Sequence, residues 1–177
     1  MVGSVESGQS DANALFTSAY REHAAAVLAY LRSQGVEDPE AVTQDTFVAL
    51  HPRIASLTGG AAGMRTLIFS IAHARVVDHH RHRARVPRPV GYDPATDPRV
   101  TPSADEGVID GRTGATALLA SLVPEYREVL ALRVVADLSI EETARIMGRT
   151  PGAIKQLQRR ALAALRQIVM SDAERVQ

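Results

Sequence analysis

Cysteine is absent from the 177 residues, which excludes disulfides, thiol catalysis and cysteine-ligated zinc. Tryptophan is absent too, and Lys155 is the single lysine. Formal net charge is zero, which would weigh against a nucleic-acid partner if the charge were spread evenly. No run approaches the roughly 18 apolar residues that a membrane-crossing helix needs, and the opening MVGSVESGQSD holds no apolar segment of signal-peptide length. Together these absences lead us to expect a soluble, cytoplasmic protein without membrane insertion.

The neutral total conceals a division. Residues 1 to 63 carry net charge −4, residues 64 to 88 carry +5, residues 89 to 113 carry −3 and residues 114 to 177 carry +2. Two basic patches are thus separated by acidic stretches, and a polyanion partner would see them locally. With 45% hydrophobic residues the chain can form one core or two small ones.

The most informative stretch is SIEETARIMGRTPGAIKQLQRRALAALR, Ser139 to Arg166. Ser139 followed three residues later by Glu142 predicts a capping box, and Gly148 predicts a left-handed helix stop. Thr150 can cap the next helix and Pro151 suits its first position. Ile154, Leu157, Ala161, Leu165 and Ile168 then form one apolar stripe, leaving Lys155, Gln156, Arg159 and Arg160 on the opposite side. Two helices joined by a short glycine-containing turn, the second with an outward basic and amide face, is the helix-turn-helix pattern of major-groove readers. No acidic residue lies between Glu142 and Asp172, whereas solvated helices ordinarily mix signs.

Taken in order, the chain predicts a disordered tail over residues 1 to 12, then a helix from Asn13 to Gln34 with Phe16, Tyr20, Ala24, Val27, Leu28 and Leu31 as its apolar stripe. Asp38 and Pro39 start a second helix whose exposed side is acidic and polar and whose anchors are Val42, Phe47 and Leu50. SLTGGAAG, residues 56 to 63, reads as a flexible loop. Met64 to Arg85 is the longest helical candidate, apolar at Met64, Leu67, Ile68, Ile71 and Ala72 and strongly basic in its second half. Residues 87 to 113, rich in Pro, Gly and Asp, read as a linker. Pro124 opens the helix PEYREVLALRVV that leads into the helix-turn-helix. The fold class is therefore all-α: two small helical domains, 13 to 86 and 114 to 171, joined by a flexible linker, with a short tail at 172 to 177.

Both halves together resemble the extracytoplasmic-function sigma factors of bacterial RNA polymerase. DPEAVTQDTFVAL is similar to that family's polymerase-binding helix and MRTLIFSIAHARVVDHHRHR to its promoter-melting helix. LVPEYREVLALRVVADLSIEETARIMGRTPGAIKQLQRRALAALR is similar to its second DNA-binding domain. The resemblance implies a sigma factor that is not itself an enzyme, needs no cofactor or metal, and has core RNA polymerase (β′ clamp and β subunit), promoter DNA and an anti-sigma factor as candidate partners. It implies upstream (−35) recognition by Thr150, Pro151, Gly152, Lys155, Gln156, Arg159 and Arg160. It implies downstream (−10) contacts by Arg65, Arg75, His79, His82 and Arg83, and polymerase binding by Asp38, Glu40, Gln44, Asp45 and Thr46, with Phe47 in support. Leu67 stands where many members have Trp, Ala74 where many have Asn, and His79, His80 and His82 where the arginine run is denser. Phe69, His73 and His79 are then the remaining candidates for unstacking bases.

Two other readings compete. A metal site at His73, Asp78, His79, His80 and His82 suits the residue types, but adjacent histidines do not share a helix face. The other is a stand-alone dimeric helix-turn-helix regulator, which would bind its operator without polymerase.

Overall fold

The computed structural model of the chain describes residues 3–85 and 117–175, and every regular element among them is helical. Helix α1 runs Gly3–Ser33 and α2 runs Pro39–Leu50, followed by a 3-10 turn His51–Ser56 and helix α3, Gly60–Arg85. After a helical turn over 117–120, α4 (Pro124–Leu130) continues into a π-helical turn, Ala131–Val135. Helices α5 (Ile140–Met147) and α6 (Pro151–Arg175) complete the fold. The expected linker, 87 to 113, lies outside the described residues.

Each stop and start has a local cause. Gly35, at φ 71°, turns the chain out of α1, and the Val36 N–H donates back to the Leu31 carbonyl. Asp38 accepts the Ala41 N–H at 3.0 Å and Pro39 occupies the first position of α2. The core of the first half is then built by Val27, Tyr30 and Leu31 from α1, Phe47 and Leu50 from α2, and Ile68, Phe69, Ile71 and Ala72 from α3. Its aromatic rings meet edge to face: Tyr20 lies 4.8 Å from Phe47 and Tyr30 5.8 Å from Phe69.

Four expectations change. Helix α1 begins at Gly3, so residues 3 to 12 are helical rather than disordered; extending an existing helix adds one backbone bond per residue, and Gly8 alone opposes it by only about 1 kcal/mol. Helix α6 continues to Arg175 for the same reason, past the expected end at 171. The loop expected at 56 to 63 shrinks because the chain re-enters a helix at Gly60, with the Gly63 N–H bonded to the Gly59 carbonyl at 3.1 Å. The buried face of α1 is also rotated from the expected stripe: Ala19, His23, Val27, Tyr30 and Leu31 are buried, whereas Tyr20 is 43% exposed.

The two halves are packed together. Ala131, Leu132, Ala136 and Leu138 join Tyr30 and Phe69 in a single buried cluster. A second cluster, with Val129, Leu130, Ala144, Ile154, Leu157 and Ala161, belongs to the second half alone. The π-helical turn is what faces both. Burial, and then the Glu128 carboxylate from the second half, hold the Tyr30 hydroxyl well above its usual range, so it stays neutral at the seam.

Candidate nucleic-acid interface

The turn between α5 and α6 is fixed at both ends by the expected residues. Ser139 Oγ accepts the Glu142 N–H at 3.1 Å, and Glu142 Oε2 accepts the Ser139 N–H at 2.7 Å, a complete capping box. Gly148 ends α5 at φ 63°, and the Arg149 N–H reaches the Ala144 carbonyl at 2.9 Å. Thr150 Oγ1 then accepts the Ala153 N–H at 3.2 Å and Pro151 opens α6. Helix α6 is therefore held at a defined angle by backbone geometry before any side chain meets a ligand.

On α6 the apolar stripe faces inward as expected, with Ile154, Leu157 and Ala161 buried. Thr150, Pro151, Gly152, Lys155, Gln156, Arg159 and Arg160 are all exposed and so fall on one open surface. Arg159 Nη2 donates to Gln156 Oε1 at 3.0 Å, which orients the guanidinium and the amide relative to each other. Among the described residues Lys155 and Arg160 form no ion pair, whereas Arg149 pairs with Glu125. Arg133 supports the helix from behind, bonded to Gln158 Oε1 at 3.2 Å and to the Leu138 carbonyl.

Helix α3 does not treat its candidates alike. Arg75 and His82 are exposed; Arg83 is exposed and pairs with Glu37 at 3.5 Å; His79 is half-buried. Arg65 is half-buried and bonded to Asp137 of the second half at 3.2 Å. Asp78 lies 4.0 Å from Arg81, one helical turn on. Phe69 is fully buried, and His73 Nδ1 lies 2.7 Å from Glu128 Oε1, so neither is open to a base in this arrangement.

On α2, Asp38, Glu40, Gln44 and Asp45 form an exposed polar surface, with Arg32 bonded to Glu40 at 2.6 Å. Thr46 does not belong to it: the residue is fully buried and its hydroxyl donates to the Val42 carbonyl at 2.8 Å. Spacing explains the correction, because Thr43, Thr46, Phe47 and Leu50 share the inward face at three- and four-residue intervals. Phe47 is 2% exposed and supports the surface from beneath. Val48, 70% exposed beside Gln44 and Asp45, escapes a sequence reading because an apolar residue on an amphipathic helix is normally assigned to the core.

Residues 118–167, the second half with its helix-turn-helix, match the family described as Sigma-70, region 4. Similarity also extends across both halves. The chain is 30% identical over 132 residues to the ECF RNA polymerase sigma factor ShbA of Streptomyces griseus, an alignment covering 72% of this chain and 69% of ShbA. The chain belongs to the extracytoplasmic-function sigma factors. It is 31% identical over 178 residues to the sigma factor BldN of Streptomyces coelicolor, covering 98% of the chain and 66% of BldN. With SigD of Mycobacterium tuberculosis it shares 36% identity over 116 residues, 60% of the chain and 51% of SigD. The chain thus spans about two thirds of the length of BldN and ShbA and about half of SigD.

Solved structures agree on the fold. The chain is similar to the sigma factor RpoE of Bartonella quintana in complex with the anti-sigma factor NepR, with a TM-score of 0.67 at 22% identity over 89% of this chain and 98% of that one. It is similar to CnrH in complex with the cytosolic domain of CnrY, with a TM-score of 0.65 at 22% identity over 94% and 95% of the two chains. No helix among the described residues of this sigma factor is long and apolar enough to cross a membrane.

Proposed function

We propose that this sigma factor brings core RNA polymerase to its promoters, reading the upstream element with α6 and the downstream element with α3. The observation that carries the reading is the α6 surface, where Lys155, Gln156, Arg159 and Arg160 stand exposed on a helix anchored by Ile154, Leu157 and Ala161. Arg and Lys can pair with guanine and Gln with adenine, each good bidentate contact being worth about 1–3 kcal/mol of discrimination. Exposed arginines also anchor on phosphate, so binding should weaken steeply with salt. Arg75 and His82, with Arg83 once released from Glu37, are the α3 groups best placed for the opened strand.

A polymerase partner follows from magnitude. Opening about ten base-pair steps at about 1.4 kcal/mol each costs about 14 kcal/mol, more than a small helical domain with a few stacking contacts supplies. The surface proposed for that partner is Asp38, Glu40, Gln44 and Asp45 on α2, which stays exposed while the halves are packed. The relatives solved with anti-sigma factors support such a factor as a further partner. The role is one of binding rather than catalysis, and it belongs in the cytoplasm with the polymerase.

The test is promoter-dependent transcription by core polymerase with and without the purified chain. Alanine at Lys155 and Arg159 should abolish discrimination of the upstream element, with polymerase binding retained. The salt slope should fall by about one for each phosphate that is no longer neutralised. Tight binding of duplex DNA by the chain alone, unaltered by core polymerase, would favour the stand-alone regulator instead.

A further inference from the structure

Side-chain oxygens are scarce on α6, and each one near its start is already engaged. From Thr150 to Arg166 the sequence holds three, those of Thr150, Gln156 and Gln158, and no acidic residue. Thr150 Oγ1 accepts the Ala153 N–H at 3.2 Å, Gln156 Oε1 accepts from Arg159 Nη2 at 3.0 Å, and Gln158 Oε1 accepts from Arg133 Nε at 3.2 Å. Chemistry fixes which end each amide turns to its arginine. A guanidinium carries donors and no acceptor, so the oxygen of each glutamine faces it and the NH2 group is left over. Gln156 lies on the open face with Arg159, three residues on and therefore its neighbour on the helix surface, whereas Gln158 is half-buried at the flank. The open face thus offers hydrogen-bond donors: the Lys155 ammonium, the Arg159 and Arg160 guanidinium groups and the Gln156 NH2.

Bases differ in what such a face can use. In the major groove guanine presents two acceptors, N7 and O6; adenine presents the N7 acceptor beside the N6 amino donor; cytosine presents an amino donor. A glutamine with both ends of its amide free takes adenine, its oxygen on N6 and its NH2 on N7. Gln156 can do so only by giving up Arg159. Its oxygen keeps a second lone pair, but an amino group brought there meets the guanidinium as well, donor against donor. Magnitude decides between the bases. The Arg159–Gln156 bond is charge-assisted and so roughly twice as strong as a neutral one, and exclusion of water from the groove strengthens it further. Adenine would exchange that bond for a neutral one. Guanine leaves it intact and takes the remaining guanidinium and amide donors on N7 and O6.

We propose that Arg159 sets the base preference of Gln156, so that the two together select guanine in the upstream element where Gln156 alone would select adenine. The place of that guanine in a promoter rests on the function proposed above; the pairing itself requires only duplex DNA against α6. Arg159 is then specificity-determining in two ways, through its own donors and through the end of the amide that its neighbour is left to present. Lys155 and Arg160, exposed on the same face, remain to anchor on phosphate whichever base is chosen.

In the test, the full chain with core polymerase selects duplexes from a random-sequence pool, and the enriched upstream element is then varied one base pair at a time. Gln156→Ala marks the pair that Gln156 touches, as the one where the preference weakens most. At that pair the wild type should favour guanine over adenine about tenfold. Arg159→Ala frees the amide oxygen and should reverse the preference to adenine, with Lys155 and Arg160 left to anchor the helix. The readout is a ratio between two duplexes, so a general loss of affinity in a variant does not enter it. Both substituted residues are exposed, and unchanged far-UV dichroism should show that the variants remain folded. A wild-type preference for adenine at that pair, or a guanine preference that survives Arg159→Ala, overturns the proposal. So does a guanine preference that Arg159→Ala abolishes without a gain for adenine, since Arg159 would then read the base unaided. The same base ratios from the chain without polymerase would leave the pairing standing and overturn the sigma reading. Polymerase-dependent selection with adenine at that pair would do the reverse.

Discussion

Glu142 is the residue on which the helix-turn-helix and the joint between the halves both depend, and its removal has a calculable cost. Its Oε2 accepts the Ser139 N–H and its Oε1 the Thr66 hydroxyl, and the residue is 7% exposed. Hydrogen bonds to a charged group contribute about 1.5–3 kcal/mol each. Thr66 can turn to the Ala62 carbonyl once the carboxylate is gone, whereas the Ser139 N–H loses the protein acceptor it has in the fold. Glu142→Ala should therefore cost about 2–3 kcal/mol, weighting the Ser139 bond fully and the Thr66 bond in part. Ser139→Ala, which removes only the forward half of the box, should cost about 1 kcal/mol. Glu141→Ala, on the exposed side of the same first turn, should cost a few tenths through the helix dipole alone. For a chain of this length the first two become about 4–12 °C and about 2–4 °C in Tm by calorimetry. Equal losses for Glu142→Ala and Ser139→Ala would refute the assignment of a second, interdomain duty to Glu142.

Acid adds an independent check on the same residue. Burial by itself raises the Glu142 carboxyl, but the Thr66 hydroxyl, the Ser139 N–H and side chain, and Arg65 outweigh it and leave it below the usual carboxylate range. A lowered folded value means a contribution complete above about pH 5 and lost as pH falls through that value. The stability difference between wild type and Glu142→Ala should accordingly shrink in acid and be constant from neutrality upward. A gap that grows in acid would show the carboxylate to be unfavourably placed.

Two further pairs of substitutions separate surface from support. Gln44→Ala should weaken polymerase binding at unchanged Tm, whereas Phe47→Ala, at a position 2% exposed, should cost about 3–5 kcal/mol and reduce every activity together; titration with core polymerase beside thermal melts tells them apart. A Cβ at Gly63 would lie 2.3 Å from the Thr58 carbonyl oxygen, so Gly63→Ala should lower Tm despite alanine's better helix propensity. A Cβ at Gly152 meets nothing within 4 Å, and Gly152→Ala should raise stability by about 0.5–1 kcal/mol. Loss of upstream-element binding by that stabilised variant, read by fluorescence anisotropy, would place the Gly152 backbone close to DNA; retention would remove it from the proposed contacts.

What the sequence made legible was whatever is decided locally. The capping box at Ser139, the glycine stop at Gly148 and the Thr150–Pro151 start need only neighbouring residues, and all three stand as expected. So does the outward face of Lys155, Gln156, Arg159 and Arg160. Errors fall where two helices compete for one side chain. Thr46 reads as polar and hence exposed, yet α2 has only a narrow inward arc, and a threonine can bond its hydroxyl to its own helix and join that arc. Tyr20 reads as core, yet Phe47 is buried beneath it and leaves its ring packed edge-on at the surface, 43% exposed. His73 and Glu128 are 55 positions apart, and no periodicity in either helix announces that they meet.

The same distinction explains why the sequence discloses only half of what Glu142 does. A capping box specifies one carboxylate oxygen, since the Ser139 N–H needs a single acceptor. The second oxygen is left to whatever the tertiary fold brings near, and here that is Thr66, 76 residues earlier. The cap and the interdomain bond therefore share one side chain without competing for the same lone pairs. The cap does not need the Thr66 bond, because water can replace Thr66 at Oε1 while Oε2 stays on the backbone. The reverse does not hold: a chain that loses the cap loses the geometry that aims Oε1 at Thr66. Stability of the helix-turn-helix should thus be a condition for the Thr66–Glu142 bond, whereas that bond is not a condition for a folded helix-turn-helix.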